Sequence, residues 1–310
     1  MTIVPTRLRS GQTGCDGFIV VAVLWILGAL AILASIYSVY VINTATGFRA
    51  YEDGYRAQEL ASAAIELTAY QLSSVQPRPT HGQFNFRAGQ ANVAVEFQTE
   101  AARIDLNAAP KELIAGLFIA LGIEPDQAQI YAGRIVGWRT PVRKGEDTEA
   151  PAYRAAGLGY APRHAPFPHV DELSLVVGVP APLVDRVLPF MTIYSGRAQV
   201  NILDAAPEVI AALPGLSPER LNAVLAQRRL APGDGQRLLA LLGPAQAHAT
   251  LEGSQASRVS VRITFEGGRQ VNSEIVILVF DQGPEPYSVL SWRDDSDYPR
   301  ADDQLRTAVR

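Results

Sequence analysis

The feature that most constrains this chain is an uncharged stretch near its start, residues 17–48. Its inner part, residues 18–42, contains no charged residue, no proline and a single glycine. About 20 apolar residues are enough to cross a hydrocarbon core as an α-helix, and a core helix of a soluble domain is seldom apolar on every face. A signal-peptidase site at residues 29–31 is the alternative, but the apolar run continues through it. We therefore predict a membrane-spanning helix over residues 18–42.

The composition is that of a globular protein. Of the 310 residues, 48% are hydrophobic and 19% are charged, which argues against wholesale disorder. The formal net charge of −4 offers no general attraction to nucleic acid or anionic lipid. Cys15 is the single cysteine, so neither an intramolecular disulfide nor a thiolate metal cluster can form.

A short polar leader with two arginines precedes the apolar stretch. Arginines beside a membrane helix favour the cytoplasmic side, so we expect the N-terminus inside and the body outside. A leader ending in Gly17, followed by Phe18 at the start of the helix, resembles the N-terminus of type IV pilins and pseudopilins. The resemblance implies that a prepilin peptidase removes residues 1–17 and methylates the new amine of Phe18. Asp16 stands where such leaders commonly carry a basic residue.

Ala22 would be the fifth residue of the mature chain. Most pilin-like proteins carry a glutamate there, which is thought to neutralise the terminal amine of a neighbouring subunit inside the apolar filament core. A buried charge without a partner is costly. A subunit that lacks this carboxylate would leave the terminal amine of the subunit ahead of it unneutralised. The absence of the glutamate resembles the K-type minor pseudopilins, which occupy the filament tip.

The helical pattern continues beyond the membrane to about residue 75 and ends before two prolines. Small and apolar residues then recur at three- and four-residue steps, at Ala61, Ile65, Thr68 and Leu72. The faces over residues 51–72 are predicted to pack against partner subunits.

Alternating apolar residues predict strands at residues 90–99, 257–280 and 287–292, with a turn at Gly267 and Gly268. The fold class is therefore predicted as α+β: a pilin-like long N-terminal helix on an antiparallel sheet. The sheet is assigned to residues 76–103 and 251–292, and a large inserted helical domain to residues 104–250. Residues 293–310 are charged and predict a loose tail.

The inserted segment contains an internal echo. Residues 104–114 resemble residues 201–210 if a one-residue gap is allowed after the shared Ala-Ala-Pro. Asn107 and Asp204 are predicted to accept hydrogen bonds near a helix start. Each segment is followed by a helix, a tight turn and a second helix, and residues 177–180 form a third candidate turn. These patterns indicate helix-hairpin-helix units.

Helix-hairpin-helix units often bind DNA, because the hairpin can hold a phosphate at a helix N-terminus. Here Glu124 occupies a hairpin position and would repel a phosphate. Arg134, Arg139, Arg228 and Arg229 could supply a basic surface. A membrane-anchored DNA receptor is the alternative function, but we expect the hairpins to serve packing or protein contact and do not expect nucleic acid binding.

Motifs for catalysis are weak. The four histidines, at positions 81, 164, 169 and 248, have no metal-binding spacing, and neither a GxSxG elbow nor a P-loop occurs. We therefore predict no enzyme activity and no catalytic residue. Glu146, Asp147 and Glu149 form a carboxylate-rich loop and are weak calcium candidates.

Taken in order along the chain, the leader, the helix without a glutamate, the split sheet and the hairpin insertion resemble the type II secretion system protein K (GspK) family. Residues 149–153, 165–173 and 288–293 also resemble it. The resemblance implies a non-enzymatic tip subunit of a pseudopilus, anchored in the bacterial inner membrane with a periplasmic body. The implied partners are I-type and J-type minor pseudopilins, the major pseudopilin and a prepilin peptidase. Some family members bind calcium in the inserted domain, but Thr140 and Val142 replace aspartates usual there.

Overall fold

A computed structural model describes residues 16–142, 149–231, 233–283 and 285–294. The helices are α1 (Asp16–Ser74), α2 (Lys111–Ala120), α3 (Pro125–Arg139), α4 (Ala150–Ala155), α5 (Ala181–Val187), α6 (Pro207–Ala211), α7 (Pro218–Leu230) and α8 (Gly235–Leu242). The strands are β1 (His81–Ala88), β2 (Ala91–Thr99), β3 (Ile104–Asp105), β4 (Met191–Thr192), β5 (Val200–Asn201), β6 (Ala249–Thr250), β7 (Ala256–Thr264), β8 (Gln270–Val279) and β9 (Tyr287–Asp294). The chain divides into two compact units, Met1–Gln58 and Glu59–Arg310.

The first unit contains the N-terminal part of α1. Val20–Val41 is long and apolar enough to cross a membrane, with a mean hydropathy of 2.5, and none of it is buried within the protein. Trp25, for example, is 77% exposed. A helix that is apolar all round and has no protein around it is suited to lipid.

The second unit begins with the last turns of α1. Ala61, Ala64, Ile65, Thr68 and Leu72 are buried, which is the helical face predicted from their spacing. The Thr68 hydroxyl donates to the carbonyl of Ala64 at 2.7 Å, so this buried polar group is satisfied within the helix.

The sheet of the second unit is antiparallel, with strand order β1-β2-β7-β8-β9. Val93, Val95, Val259 and Val261 are buried on one face, as the period-two pattern predicts. Gly268 adopts a φ of 78° in the turn between β7 and β8, a conformation that favours glycine. Because β7 follows β2 in the sheet but is separated from it by about half the chain, the predicted insertion is confirmed.

Two strand predictions need correction. β1 was not predicted, although its Phe84 and Phe86 alternate with polar residues and lie half-buried. β9 extends to Asp294, so residues 293 and 294 belong to the sheet rather than to the predicted tail. The remainder of the tail lies outside the described residues.

The inserted domain contains one structural unit twice. In each unit a two-residue strand leads through a turn into helices, and a second short strand closes the unit by parallel pairing: β3 with β4, and β5 with β6. Leu106 N donates to Thr192 O at 2.7 Å, and Ile202 N donates to Thr250 O at 3.1 Å, which are equivalent bonds in the two units. The sequence echo at residues 104–114 therefore belongs to a larger repeat that extends to β4 and β6.

The register of the predicted echo was wrong by one residue. Asp105 and Asn201 are the equivalent positions, because Asp105 Oδ1 accepts from Asn107 N at 2.7 Å and Asn201 Oδ1 accepts from Leu203 N at 2.8 Å. The shared Ala-Ala-Pro letters are therefore out of register: the proline precedes α2 but opens α6. The equivalent residues of the two units are therefore identified by the side chain that closes the turn, and not by the shared proline.

The predicted capping roles of Asn107 and Asp204 were also wrong. Neither α2 nor α6 has a side-chain cap. Asn107 instead donates from Nδ2 to the carbonyl of Phe167 at 3.0 Å and accepts from its N–H at 2.7 Å. Asp204 Oδ1 lies 2.6 Å from His81 Nδ1. Because Asp105 and Asn201 already close the turns, Asn107 and Asp204 are free to join distant segments.

The tight turns of the predicted hairpins contain glycines with positive φ, 86° at Gly122 and 75° at Gly215. Each turn joins two α-helices, α2 to α3 and α6 to α7. At the third candidate, Gly178 has a φ of 84°, but the preceding segment Val170–Leu175 is a 3₁₀-helix. The first two are therefore helix-hairpin-helix units, and the third is a shorter relative of them.

Candidate functional site

The predicted processing residues lie at the beginning of α1. Gly17 and Phe18 are in its first turn, and residues 1–15 of the leader lie outside the described residues. Ala22 lies near the start of the apolar stretch and is half-exposed. Processing at Gly17–Phe18 and the role of Ala22 stay predictions.

The outward face of α1 in the second unit is partly apolar. Leu67 is 43% exposed and Tyr70 is 69% exposed, on the side opposite the buried residues. Glu66 adjoins them and accepts from the hydroxyl of Tyr287 in β9 at 2.8 Å. Burial, together with this hydrogen bond and the charge of Glu66, raises the pKa of Tyr287 to about 12. A helix–sheet surface with exposed apolar residues can contact another subunit.

A buried charge cluster lies where the chain leaves the sheet for the inserted domain. Glu100, which is 0% exposed, follows β2 directly. Its Oε1 accepts from Arg258 Nε at 2.7 Å, and its Oε2 accepts from Arg258 Nη2 at 3.2 Å and from the Thr192 hydroxyl. Arg103 Nη1 lies 3.5 Å from Oε1. Glu100 therefore links the sheet, through Arg258, to the inserted domain, through Thr192.

The ionisation of this cluster is set by its own members. Burial alone would raise the pKa of Glu100, but the charges of Arg258 and Arg103 and the hydrogen bonds from Arg258 and Thr192 outweigh it and lower the pKa. Burial, with repulsion from Arg258, lowers the pKa of Arg103 to about 10 despite the attraction of the carboxylates. Glu274 completes the cluster by accepting from Arg258 Nη1 at 2.5 Å. Two cations and two carboxylates thus balance each other, which is what buried charges require.

Further polar contacts join the insertion to the sheet. Where the chain returns, Ser254 N donates to the Thr99 hydroxyl at 2.8 Å, and both residues are buried. Gln98 Nε2 in β2 donates to the carbonyl of Asp204 at 2.8 Å. On the last strand, Arg293 Nη2 donates to Asp171 Oδ2 at 3.3 Å. Contacts on β2 and β9 therefore hold the inserted domain at separate points, and the bond between Thr99 and Ser254 ties its two connections to each other.

The predicted calcium loop is described only in part. Glu146 and Asp147 lie outside the described residues. Glu149 Oε2 accepts from Arg134 Nη1 at 2.7 Å, so this carboxylate already faces a cation. The Thr140 hydroxyl donates to the carbonyl of Val136, and Val142 has no side-chain oxygen. In the described part of the chain, no group of three or more His, Cys, Asp or Glu side chains could hold a metal ion. The described residues do not fit a calcium site.

Two of the segments that resemble the family, residues 149–153 and 165–173, pack together around Trp138 in the inserted domain. Trp138 lies 5.9 Å from the ring of Tyr153 and 6.1 Å from that of Phe167, and all three are almost fully buried. The Tyr153 hydroxyl accepts from Val177 N at 3.2 Å. These residues therefore form core of the inserted domain.

The arginines considered for DNA binding serve mainly internal contacts. Arg139, at the end of α3, donates to the carbonyls of Leu106 and Ala109 in the turn before α2. Arg228 in α7 donates to the equivalent carbonyls before α6, at 3.3 and 2.6 Å. Arg134 pairs with Glu149 as described, and Arg229 is exposed. Because three of the four guanidinium groups stabilise the fold, the geometry does not favour the DNA-receptor alternative.

The fold defines a class: a pilin-like α+β protein with a helical domain inserted into its sheet. A family model for type II secretion system (T2SS) protein K matches residues 82–196. The type II secretion system protein K of Klebsiella pneumoniae is 31% identical over 126 residues, 39% of this chain and 38% of that protein. The match thus spans less than half of that relative.

Among solved structures, the chain is similar to a chain in the crystal structure of the GspK-GspI-GspJ complex from the enterotoxigenic Escherichia coli type 2 secretion system. The TM-score is 0.54 and the identity 19%, over 80% of this chain and 99% of that chain. At this identity the likeness concerns the fold. With the family match over residues 82–196, it confirms the resemblance predicted from the sequence to the type II secretion system protein K family.

Proposed function

We propose that the chain is a minor pseudopilin of the type II secretion system. In this role it occupies the tip of the pseudopilus, helps to start its assembly and takes part in protein export across the outer membrane. The observation that carries the proposal is the family match to residues 82–196, which include the joint between the sheet and the inserted domain. As in the prediction, the role is structural and requires no catalytic residue.

The apolar helix supports an inner-membrane location. Val20–Val41 is long enough for a single span, and the two arginines of the leader favour a cytoplasmic N-terminus. The body that begins beyond the span is then periplasmic. Prepilin peptidase would cut between Gly17 and Phe18 and methylate Phe18. The leader is assigned to residues 1–17 and the inserted domain to residues 104–250.

The tip position is supported by Ala22. A subunit below the tip would need a carboxylate near the start of its helix to satisfy the amine of the subunit ahead of it, and this chain has a methyl group there. Because no subunit lies ahead of the tip, the variant Ala22→Glu would carry a carboxylate without a partner, and we expect it to enter the filament less often than wild type. Crosslinking to the major pseudopilin measures this: reduced capture of the variant supports the proposal, and unchanged or increased capture contradicts it.

The inserted domain supports the same position by obstruction. It contains roughly half of the chain and is fastened to the sheet region through Glu100, Gln98 and Arg293. A domain held at several points cannot move aside for a further subunit. The obstruction therefore acts as a cap that ends growth in one direction.

The partners are proposed to be the I-type and J-type minor pseudopilins, and co-purification from membranes tests this. Leu67 is exposed on α1, and Leu230 is 82% exposed at the end of α7. Leu67→Asp should reduce recovery of both partners, because a charge would enter an apolar contact. Leu230→Asp, an identical change in the inserted domain, should leave recovery unchanged. Failure of the wild-type chain to recover either partner would overturn the proposal.

A further inference from the structure

The face of the sheet opposite α1 carries a cationic depression near the turns that join β1 to β2 and β7 to β8. It has a volume of about 440 Å³ and is lined by Asn85, Arg87, Asn92, Ala94, Arg262 and Thr264. Arg87 and Arg262 are exposed. In the paired strands Arg87 lies opposite Asn92, and Arg262 lies opposite Ala94. The small side chain of Ala94 forms a low floor between the two arginines.

The two arginines differ from most others in the second unit. Carboxylate groups pair with six of the other arginines: Arg78, Arg134, Arg163, Arg197, Arg258 and Arg293. Backbone carbonyls accept hydrogen bonds from four more: Arg139, Arg186, Arg220 and Arg228. Within the described ranges, neither Arg87 nor Arg262 has a hydrogen-bond or ion-pair partner. Two unpaired guanidinium groups in one depression make a local positive site on a chain whose net charge is −4.

The spacing of the site suits an extended chain better than a single small ion. Arg87 is in β1 and Arg262 is in β7, with β2 between them, and their positions along the strands differ by two residues. Their Cα atoms are therefore roughly 12 Å apart. Acidic side chains on one face of an extended segment recur about every 7 Å. A strand added outside β1 would lie about 5 Å from β1 and about 14 Å from β7. One of its acids could therefore meet Arg87, with Asn85 donating a hydrogen bond beside it, while Arg262 adds positive potential at longer range.

The neighbouring edge of the sheet is also open. β1 pairs with β2 over eight consecutive residues without a register shift, and it contains no proline. In the described part of the chain no strand pairs with its outer side. The other edge strand, β9, has a register shift where it pairs with Val276 and Ile277, which is a common protection against edge pairing. β1 lacks such protection and can accept an added strand.

We propose that β1 and the depression beside it form a docking surface for an acidic, extended segment of a partner protein. The segment pairs with the free edge of β1, one of its carboxylates meets Arg87, and its negative charge is further attracted by Arg262. This surface lies on the sheet face opposite α1, so it stays available when the outward face of α1 contacts other subunits. The proposal does not rest on the tip position.

Fluorescence anisotropy on the full-length chain in detergent tests the proposal. The probe is a labelled peptide of about eight residues, the length of β1, with alternating threonine and glutamate. Its glutamine analogue should bind about tenfold more weakly, because charge-assisted hydrogen bonds are lost. Arg87→Ala should weaken binding of the acidic peptide by about five- to tenfold, and Arg262→Ala, which removes a more distant charge, by about two- to threefold. Arg237→Ala removes an exposed arginine of α8 and should change binding by less than about twofold.

Amide hydrogen exchange distinguishes docking along β1 from binding of an ion. Bound peptide should protect amides of β1 that exchange freely without it. Three results would overturn the proposal: equal affinity for the acidic and glutamine peptides, an effect of Arg237→Ala as large as that of Arg87→Ala, or binding without protection of β1. If inorganic phosphate instead binds with the same dependence on Arg87 and Arg262 and the peptide does not, the depression is a small-anion site and no protein segment docks there.

Discussion

Replacing Glu100 by glutamine should destabilise the second unit by about 3 kcal/mol, since removing one charge from a buried pair leaves its partner uncompensated. Glu100 is fully buried and accepts from Arg258 and Thr192, while Arg103 lies 3.5 Å away. Glutamine keeps the size but leaves two cations facing the single carboxylate of Glu274. For a unit of this size the melting temperature should fall by about 10 °C. Calorimetry or thermal circular dichroism measures the change.

A matched control is the exposed pair of Arg197 and Glu252, whose atoms are 3.1 Å apart. Glu252→Gln should cost less than about 0.5 kcal/mol, because solvent screens this pair. A second check replaces Glu100 and Arg258 together by leucine and methionine, which should recover much of the lost stability. If Glu100→Gln is no worse than Glu252→Gln, the cluster does not join the inserted domain to the sheet as argued.

The effect of Glu100→Gln should also depend on pH. Because the folded-state pKa of Glu100 is lowered from its ordinary 4.5, its stabilising contribution is fully present above that value. It is lost as the pH falls through the lowered pKa, since protonated Glu100 resembles glutamine. The difference in melting temperature between wild type and Glu100→Gln should therefore shrink in acid. A constant difference over the acidic range would show that glutamine disturbs packing instead of charge.

Two further substitutions test other contacts. Gly116→Ala in α2 would place a Cβ 2.0 Å from the carbonyl oxygen of Ala212. Urea unfolding should show a loss of about 2–3 kcal/mol in the free energy of unfolding. The control Gly159→Ala, whose Cβ would have no atom within 4 Å, should be nearly neutral. Glu66→Gln should lower the pKa of Tyr287 from about 12 toward its ordinary 10.0, as read by ultraviolet difference titration against Tyr287→Phe; an unchanged pKa would contradict the contact with Glu66. The raised pKa means that the hydrogen bond stabilises the fold below pH 10.0 and is lost as the pH rises through about 12.

Local periodicity predicted the features that depend on near neighbours. The buried face of α1 and the strands at β2 and β7 follow from repeats of three to four or of two residues, which fix which side chains share a face. β1 was missed although its phenylalanines alternate, because Gln83 and Asn85 make the segment polar overall. It is an edge strand and needs little burial.

The charge cluster could not be predicted in the same way. Glu100 and Arg258 are 158 residues apart, and no spacing rule links them. A weak signal was available: Glu100 directly follows a strand, where the chain turns into the interior. The sequence echo at Ala-Ala-Pro is real, but aligning these identical residues shifts the two segments by one residue relative to the structure. The structurally equivalent residues are Asp105 and Asn201, which close the two turns. Because an aspartate and an asparagine are different residue types, sequence identity does not reveal this alignment.

Whether the chain is a pseudopilin can be read from the mass of its mature N-terminus. The full-length chain is co-expressed with prepilin peptidase, purified from membranes and analysed by intact mass spectrometry, with the variant Gly17→Leu as the uncleaved control. The expected product is a chain that begins with N-methylated Phe18. An N-terminus that keeps residues 1–17, or one created by cleavage at residues 29–31, would contradict it.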